Sequence, residues 1–381
     1  MSDDSHGRIT AAATASAVPA PRASVGGMRF SVDAWDPSYG TSVADDGLKE
    51  SKTPANAGVE VPVPAWRPVP TPAARGLAVT QPSAVLFVDG VRRVEARAWI
   101  HETEPAGAPA ASTPAADIAA ANIAAPAICA SYAGGVVCCC GAGAHLLAAH
   151  VRRGLFTSAR RAGDVRTAEG TYHLHQTDGA GPDDLNLALQ RELRGLEMTT
   201  ALGAHRDLRA HHPFLATKTH GATETHGADG AFADALLVVD GPLHAGALPR
   251  TLGFVKTHHS SYLEGPPLAV VGQLGPGERT PVFTVGRSWD RPSWYLRLPC
   301  RPGAPWAGIV RVECGSGTSV EHAVELADLS QATLPRFASE EFKDARAPQN
   351  LYPIAGLERT LRRRLGDAAL LYRSLRRGAT A

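Results

Sequence analysis

Two aspartates close short apolar runs and are each followed by glycine: Ala84-Val-Leu-Phe-Val-Asp89-Gly90 and Ala235-Leu-Leu-Val-Val-Asp240-Gly241. Carboxylates at the ends of buried strands are suited to gripping a divalent metal, because a strand is a rigid platform that holds like charges together against their repulsion. Mg²⁺ and Mn²⁺ are hard ions that prefer oxygen ligands, so Asp and Glu are the expected residue types. Hydrolysis of a phosphodiester needs an activated water, neutralised charge at phosphorus and help for the leaving oxygen. Two divalent ions roughly 3.5 to 4 Å apart supply all three. A helix between the two strands can add a third acid, and both Glu192 and Glu197 lie in the helical pattern there. Five residues apart, they point about 140° from each other. Taken alone, each Val-Asp-Gly also reads as an Asp-Gly turn.

The elements that must position these acids occupy only part of the 381 residues. The first 75 are rich in Ala, Pro, Ser and Gly, which predicts a disordered leader over 1–27 and a loosely packed opening segment around Met28 to Trp35. His101 to Pro126 is mostly Ala, Pro, Thr and acidic residues, and 204–230 is histidine-rich with Thr-His-Gly-Ala at 219–222 and again at 225–228. Both read as inserted loops whose composition does not repay the entropy of ordering. One domain over 28–378 is expected, with its core at about 84–378.

Within that core, Ala84 to Ile100 reads as a hairpin turning at Asp89-Gly-Val-Arg-Arg, and Ala127 to Cys138 as a third strand of the same antiparallel sheet. Leu185 to Leu202 shifts to helical period, with Leu187, Leu189, Leu193, Leu196 and Ala201 as the apolar stripe. Leu236 to Asp240, Gly253 to Lys256, Pro281 to Val285, Trp294 to Leu298 and Trp306 to Glu313 follow as strands. Ile354 to Arg376 reads as one long amphipathic helix opened by Pro353. This order predicts an α/β domain with a mixed central sheet flanked by helices. No glycine-rich phosphate loop, GxGxxG, nucleophile elbow or HExxH occurs, so nucleotide hydrolysis, Rossmann cofactors, serine hydrolysis and zincin chemistry lack their usual support.

Net charge is +1, with no global bias toward nucleic acid or membrane. No run of 18 apolar residues exists and the start, Met1-Ser-Asp-Asp-Ser-His, is acidic, so a cytoplasmic protein without a membrane span is expected. The six cysteines contain no CxxC pair, and the three of Cys138-Cys139-Cys140 cannot converge on one ion from a strand. They read as small apolar thiols at a strand end. His205, His211, His212, His220 and His226 lack metal-ligand spacing and read as a solvated insertion, while His258 and His259 read as site-edge or plain surface groups. Arg359, Arg362, Arg363, Arg364, Arg373, Arg376 and Arg377 form either a phosphate-binding stripe or a solvated face behind Leu357, Leu361, Leu365 and Leu371. Trp289, Trp294 and Trp306 read as core residues rather than base-stacking platforms, and Gln349-Asn350 could bond to backbone or nucleic acid.

Phe87-Val-Asp89-Gly90, Arg194-Gly-Leu-Glu197-Met-Thr-Thr-Ala-Leu202, Leu237-Val-Val-Asp240-Gly-Pro-Leu243, Gly253-Phe-Val-Lys256 and Leu351-Tyr352-Pro353 occur in an order that resembles the NurA nuclease family, over about Ala84 to Leu375. The resemblance implies an RNase H-like core and Mn²⁺- or Mg²⁺-dependent DNA hydrolysis in end processing and double-strand break repair. It also implies a homodimer working with a HerA-like hexameric ATPase. Carried over by position, Asp89 and Asp240 match the first and third acidic metal ligands, and Glu197 fits the second better than Glu192. Lys256 matches a basic residue that contacts the scissile phosphate, and Tyr352 an aromatic that orients a phosphate or water. Relatives place a histidine eight residues after that tyrosine, where this chain has Thr360, with Glu358 nearby. Two alternatives stay open: an inactive DNA-binding or scaffold protein of the same fold, and a phosphohydrolase acting on small phosphate esters.

Overall fold

The computed structural model describes residues 24–25, 28–29, 35–39, 41–43, 48–101, 124–211, 234–243, 249–286, 290–301 and 303–378. Most of the leader expected over 1–27 and most of the two inserted loops lie outside these residues, as do His212, His220, His226 and Trp289; Ser24–Val25 of the leader pairs antiparallel with Met28–Arg29. Eleven strands form one sheet: β1 (Ala55–Asn56), β2 (Ala84–Ile100), β3 (Ala125–Cys140), β4 (Gly143–Thr157), β5 (Val165–Thr167), β6 (Gly170–Gln176), β7 (Leu236–Asp240), β8 (Thr251–Val255), β9 (Phe283–Val285), β10 (Arg291–Arg297) and β11 (Ile309–Cys314). Their spatial order is β1-β9-β10-β11-β8-β7-β2-β3-β4-β6-β5. Strands β2, β3 and β4 are an antiparallel meander, while β7 lies parallel to β2 and β8 parallel to β7. The result is the mixed α/β architecture expected from the sequence, with the meander on one side of β2 and parallel strands on the other.

The hairpin expected at Asp89-Gly90 is absent. Instead, β2 runs straight through it, with Asp89 opposite Gly135 and Gly90 opposite Gly134 on β3. Asp-Gly turns a chain only where the chain must reverse, and here a partner strand pairs on both sides of it. Period two divides the side chains of β2 between two cores. Val85 and Phe87 join Leu236, Val238 and Ile354 on one face, while Leu86 and Val88 join Ala201, Ala204, Leu208 and Leu237 on the other.

Helix α1 (Pro182–His211) covers the second face. It begins with Pro182 and carries Asp183 and Asp184 in its first turn, where negative charge suits the helix dipole. It extends into the stretch expected as a loop from 204, because buried Ala204 and Leu208 continue the apolar stripe. Leu187 was expected in that stripe but is 56% exposed; Leu185 takes the place. Two further helices, α2 (Gly265–Gln273) and α3 (Val320–Thr333), pack near β9 to β11, and fully buried Arg279 links Glu60 of the leading segment to Asp328 of α3.

The expected single terminal helix is two: α4 (Tyr352–Arg364) and α5 (Ala368–Gly378). Gly366 adopts φ 91°, which stops α4, and the Asp367 carboxylate then accepts the Leu370 N–H at 2.9 Å, which caps α5. Leu357, Leu361 and Leu365 pack α4 against Val91 and Ala133, on the sheet face opposite α1.

Both helices approach the sheet over adjacent glycines of β3. A Cβ at Gly134 would lie 3.1 Å from the backbone nitrogen of Glu197 on α1, and one at Gly135 would lie 2.9 Å from Leu361 on α4. Helix backbone cannot yield as a side chain can, so Gly134→Ala is expected to lower stability by about 1–3 kcal/mol. Gly141→Ala, which meets nothing within 4 Å, is expected to stay within about 0.5 kcal/mol of the original. Urea unfolding midpoints of the two variants check this difference.

Candidate active site

Strand β7 stops at Asp240, with Gly241 turning away at φ 101°, while β2 continues past that level to Ile100. The last residue pair between them is Val239 with Val88, so Asp240 and Asp89 are the next residues on each strand. Alternation puts Asp89 on the face of Phe87, toward α4, and Asp240 on the face of Val238. From the opposite face, α1 delivers Glu197. Its carboxylate lies over Gly90, where a Cβ would come within 2.0 Å of the Glu197 Oε1. The absent side chain of Gly90 makes the space this glutamate occupies. The three acids therefore meet at the step in the sheet left by the end of β7.

Lys256 follows β8 and is buried, donating to Asp240 Oδ2 at 2.6 Å and to Asn350 Oδ1 at 3.3 Å. The Asp89 carboxylate accepts its neighbour's amide, Gly90 N–H, at 2.7 Å. Burial, then the Asp240 carboxylate, raise the Asp89 carboxyl well above the usual carboxylate range; Lys256 opposes this, and Glu358 and Glu197 add to it. Burial, followed by Asp240, pushes Glu197 up to about 7 against the pull of Arg194. Asp240 thus makes ionisation of both Asp89 and Glu197 harder, and Glu197 does the same to Asp89. As a set they are spaced more widely than 4.8 Å between ligand atoms, a limit that Cys138, Cys140 and His145 meet among the described residues.

Alongside the acids lies a cleft of about 270 Å³ whose walls include Arg92, Leu193, Arg194, Glu197, Met198 and Asp240. The two arginines are exposed at its rim. Apolar walls with a few acids and a basic rim suit a polyanion whose charge must be neutralised at one point.

Several expected site residues go elsewhere. Glu192 sits 3.6 Å from His175 Nδ1, whereas Glu197 is the glutamate that feels Asp240. Tyr352 opens α4, and its hydroxyl oxygen accepts the Glu340 N–H at 3.2 Å. His258 is buried against Tyr295 and Trp306, with its Nε2 3.0 Å from the Ile309 carbonyl, and burial lowers its pKa to about 4. It is thus a core group rather than a surface or site-edge one; His259 is exposed. Gln349 and Asn350 are fully buried and bond within the protein, to the Trp306 carbonyl and to Asp344 and Lys256. Trp294 is also core, donating to Ser330 Oγ at 3.0 Å.

Glu358, named above only as a neighbour of Thr360, lies on α4 close enough to act on Asp89. It pairs with Arg346 and, at 2.7 Å, with Arg362, and its charge reaches Asp89. Burial would raise its carboxyl, but Arg362 and Arg346 outweigh this and hold it below the usual range. The legible signal was a lone acid four residues before an arginine in a strongly basic helix.

No family model and no curated protein matches the chain. Among solved structures, the crystal structure of the NurA nuclease from Sulfolobus solfataricus is similar over 79% of this chain and 84% of that chain. Sequence identity is 10% and the TM-score 0.38, too loose a likeness to carry a role for any residue.

Proposed function

We propose that this chain is a divalent-metal-dependent nuclease that hydrolyses phosphodiester bonds in DNA. The observation that carries the proposal is the meeting of Asp89, Glu197 and Asp240, from three separate elements, at one step in the sheet beside buried Lys256. Two of these acids are pushed toward protonation, by burial first and then by the Asp240 carboxylate, so the set gains from an added positive charge. An all-oxygen donor set fits Mn²⁺ or Mg²⁺. When bound, such an ion supplies Lewis acidity at phosphorus and acidifies water.

The chain's own groups have distinct parts in this reading. Asp89, Glu197 and Asp240 hold one or two cations between them, with β2 and β7 fixing two of the acids and Gly90 making room for the third. Lys256 steadies Asp240 and offers a point charge to the scissile phosphate. Arg92 and Arg194 receive the flanking phosphates at the cleft rim. Exposed Arg359, Arg363, Arg364, Arg373, Arg376 and Arg377 on α4 and α5 offer a further basic surface from the opposite sheet face, which gives affinity that falls with salt. The resemblance of the short motifs' order to that of NurA nucleases supports action at DNA ends in double-strand break repair. It also supports a cytoplasmic homodimer fed by a HerA-like hexameric ATPase. No helix among the described residues is long and apolar enough to cross a membrane.

With Mn²⁺ and end-labelled linear DNA, Asp89→Asn, Asp240→Asn and Glu197→Gln are each expected to cut at least about 100-fold more slowly, since a lost ligand removes several kcal/mol of charge stabilisation. Glu192→Ala is expected to stay within about twofold. Undiminished cutting by either aspartate variant would overturn the assignment. DNA binding without cleavage would instead mark a scaffold, and turnover of a chromogenic phosphomonoester alone a small-ester hydrolase.

The raised carboxyl of Glu197 also ties stability to pH. Its folded pKa of about 7 exceeds the reference value of 4.5, so the folded state holds the extra proton between them. Its contribution to stability is complete below about 4.5 and is lost as pH rises through about 7. In metal-free protein at pH 8, Glu197→Gln is therefore expected to be more stable than the parent by about 1–3 kcal/mol, a gap that closes in acid. Urea unfolding across pH measures it, and a gap that does not change with pH would contradict the placement of Glu197.

A further inference from the structure

We propose a second metal site, for a soft cation such as Zn²⁺, formed by Cys138, Cys140 and His145 at the end of the β3–β4 hairpin. Three successive cysteines cannot face one ion, and the strand sends Cys139 to the opposite sheet face, against the cluster of Val85 and Phe87. Alternation returns Cys138 and Cys140 to a shared face, the one covered by α1. The tight turn after Cys140 then brings β4 back so that His145 lies directly across from Cys138. The two sulfurs and an imidazole nitrogen all lie within 4.8 Å of one another.

Tetrahedral zinc, with Zn–S near 2.3 Å and Zn–N near 2.0–2.1 Å, needs ligand atoms roughly 3.5 to 3.8 Å apart. Closing the group by about 1 Å is within reach of side-chain rotation at a hairpin end. Cys138 is fully buried, whereas Cys140 and His145 are half-buried. The cation would have protein on one side and one position open to a water. The Ala142 N–H already points to Cys140 Sγ at 3.4 Å. An amide aimed at a ligand sulfur fixes its direction.

Thiolate and imidazole ligands select Zn²⁺, whereas the acidic site selects Mg²⁺ or Mn²⁺, so the two sites sort ions by ligand chemistry. On binding, each thiol exchanges its S–H bond for an S–Zn bond and releases a proton to solvent, while neutral His145 gives a lone pair. Cys138 packs in the same cluster as Ala204 and Leu208 of α1. A cation here would clamp the hairpin end beneath the last turns of the helix that carries Glu197.

The test uses the full chain stripped with chelator and titrated with Zn²⁺, and with Co²⁺ as a spectroscopic probe. Expected are one high-affinity equivalent per chain and a near-ultraviolet thiolate-to-Co²⁺ band. Cys140→Ser and His145→Ala should each weaken binding at least about 10–100-fold, while Cys139→Ser, on the other face, should not. Circular dichroism of the metal-free variants confirms that each folds. Binding without a thiolate band, as the histidine-rich stretch would give, or unchanged affinity in Cys140→Ser, would overturn the proposal.

Discussion

Everything around the acidic site answers to one constraint: several carboxylates share a small, partly buried volume, and like charges there repel strongly. Desolvation raises the cost of each negative charge, and a neighbouring carboxylate raises it further. Lys256 offsets part of that cost through Asp240, and Arg346 and Arg362 offset it through Glu358. The remainder keeps Asp89 and Glu197 toward their protonated forms. Such an arrangement is poorly explained by stability, because apolar residues of similar volume would cost less. It is well explained by a task that requires added positive charge.

Rigidity makes that crowding sustainable. Two aspartates sit on adjacent parallel strands, held by a ladder that cannot relax them apart without breaking backbone hydrogen bonds. The glutamate arrives from a helix whose separation from the sheet is set by the glycine at position 134. On the other face, Gly135 sets the approach of α4, which brings Glu358 and its arginines toward Asp89. Two glycines in sequence, each open to a different helix, thus fix the depth of the site from both sides.

What the sequence made legible was chemistry carried at the ends of apolar runs. Asp89, Asp240 and Lys256 each close an apolar run, and such runs read directly as buried strands. Glu197 was readable as one of two choices, since periodicity gave the angle between Glu192 and Glu197 but not which faced the sheet. Less legible were features decided by contacts distant in sequence. Asp-Gly at 89–90 looked like a turn because nothing local reveals that Gly134 and Gly135 lie across from it. The break at Gly366-Asp367 combines a stop and a cap that apolar periodicity runs straight across. His258 looked polar and exposed, and only the packing of Tyr295 and Trp306 around it shows a core imidazole.

The unequal lengths of β2 and β7 carry a consequence of shape. The acids lie partway along β2 rather than at its tip, so the meander of β2, β3 and β4 rises beside them as a wall. On the other side β7 stops at Asp240 and β8 at Val255, and β11 and β10 carry the described sheet only to Ile309 and Arg297. Access from the sheet's two sides is therefore lopsided. Whatever reaches the acids meets the meander as a wall on one flank, so the direction of approach is set by backbone geometry before any side chain makes contact.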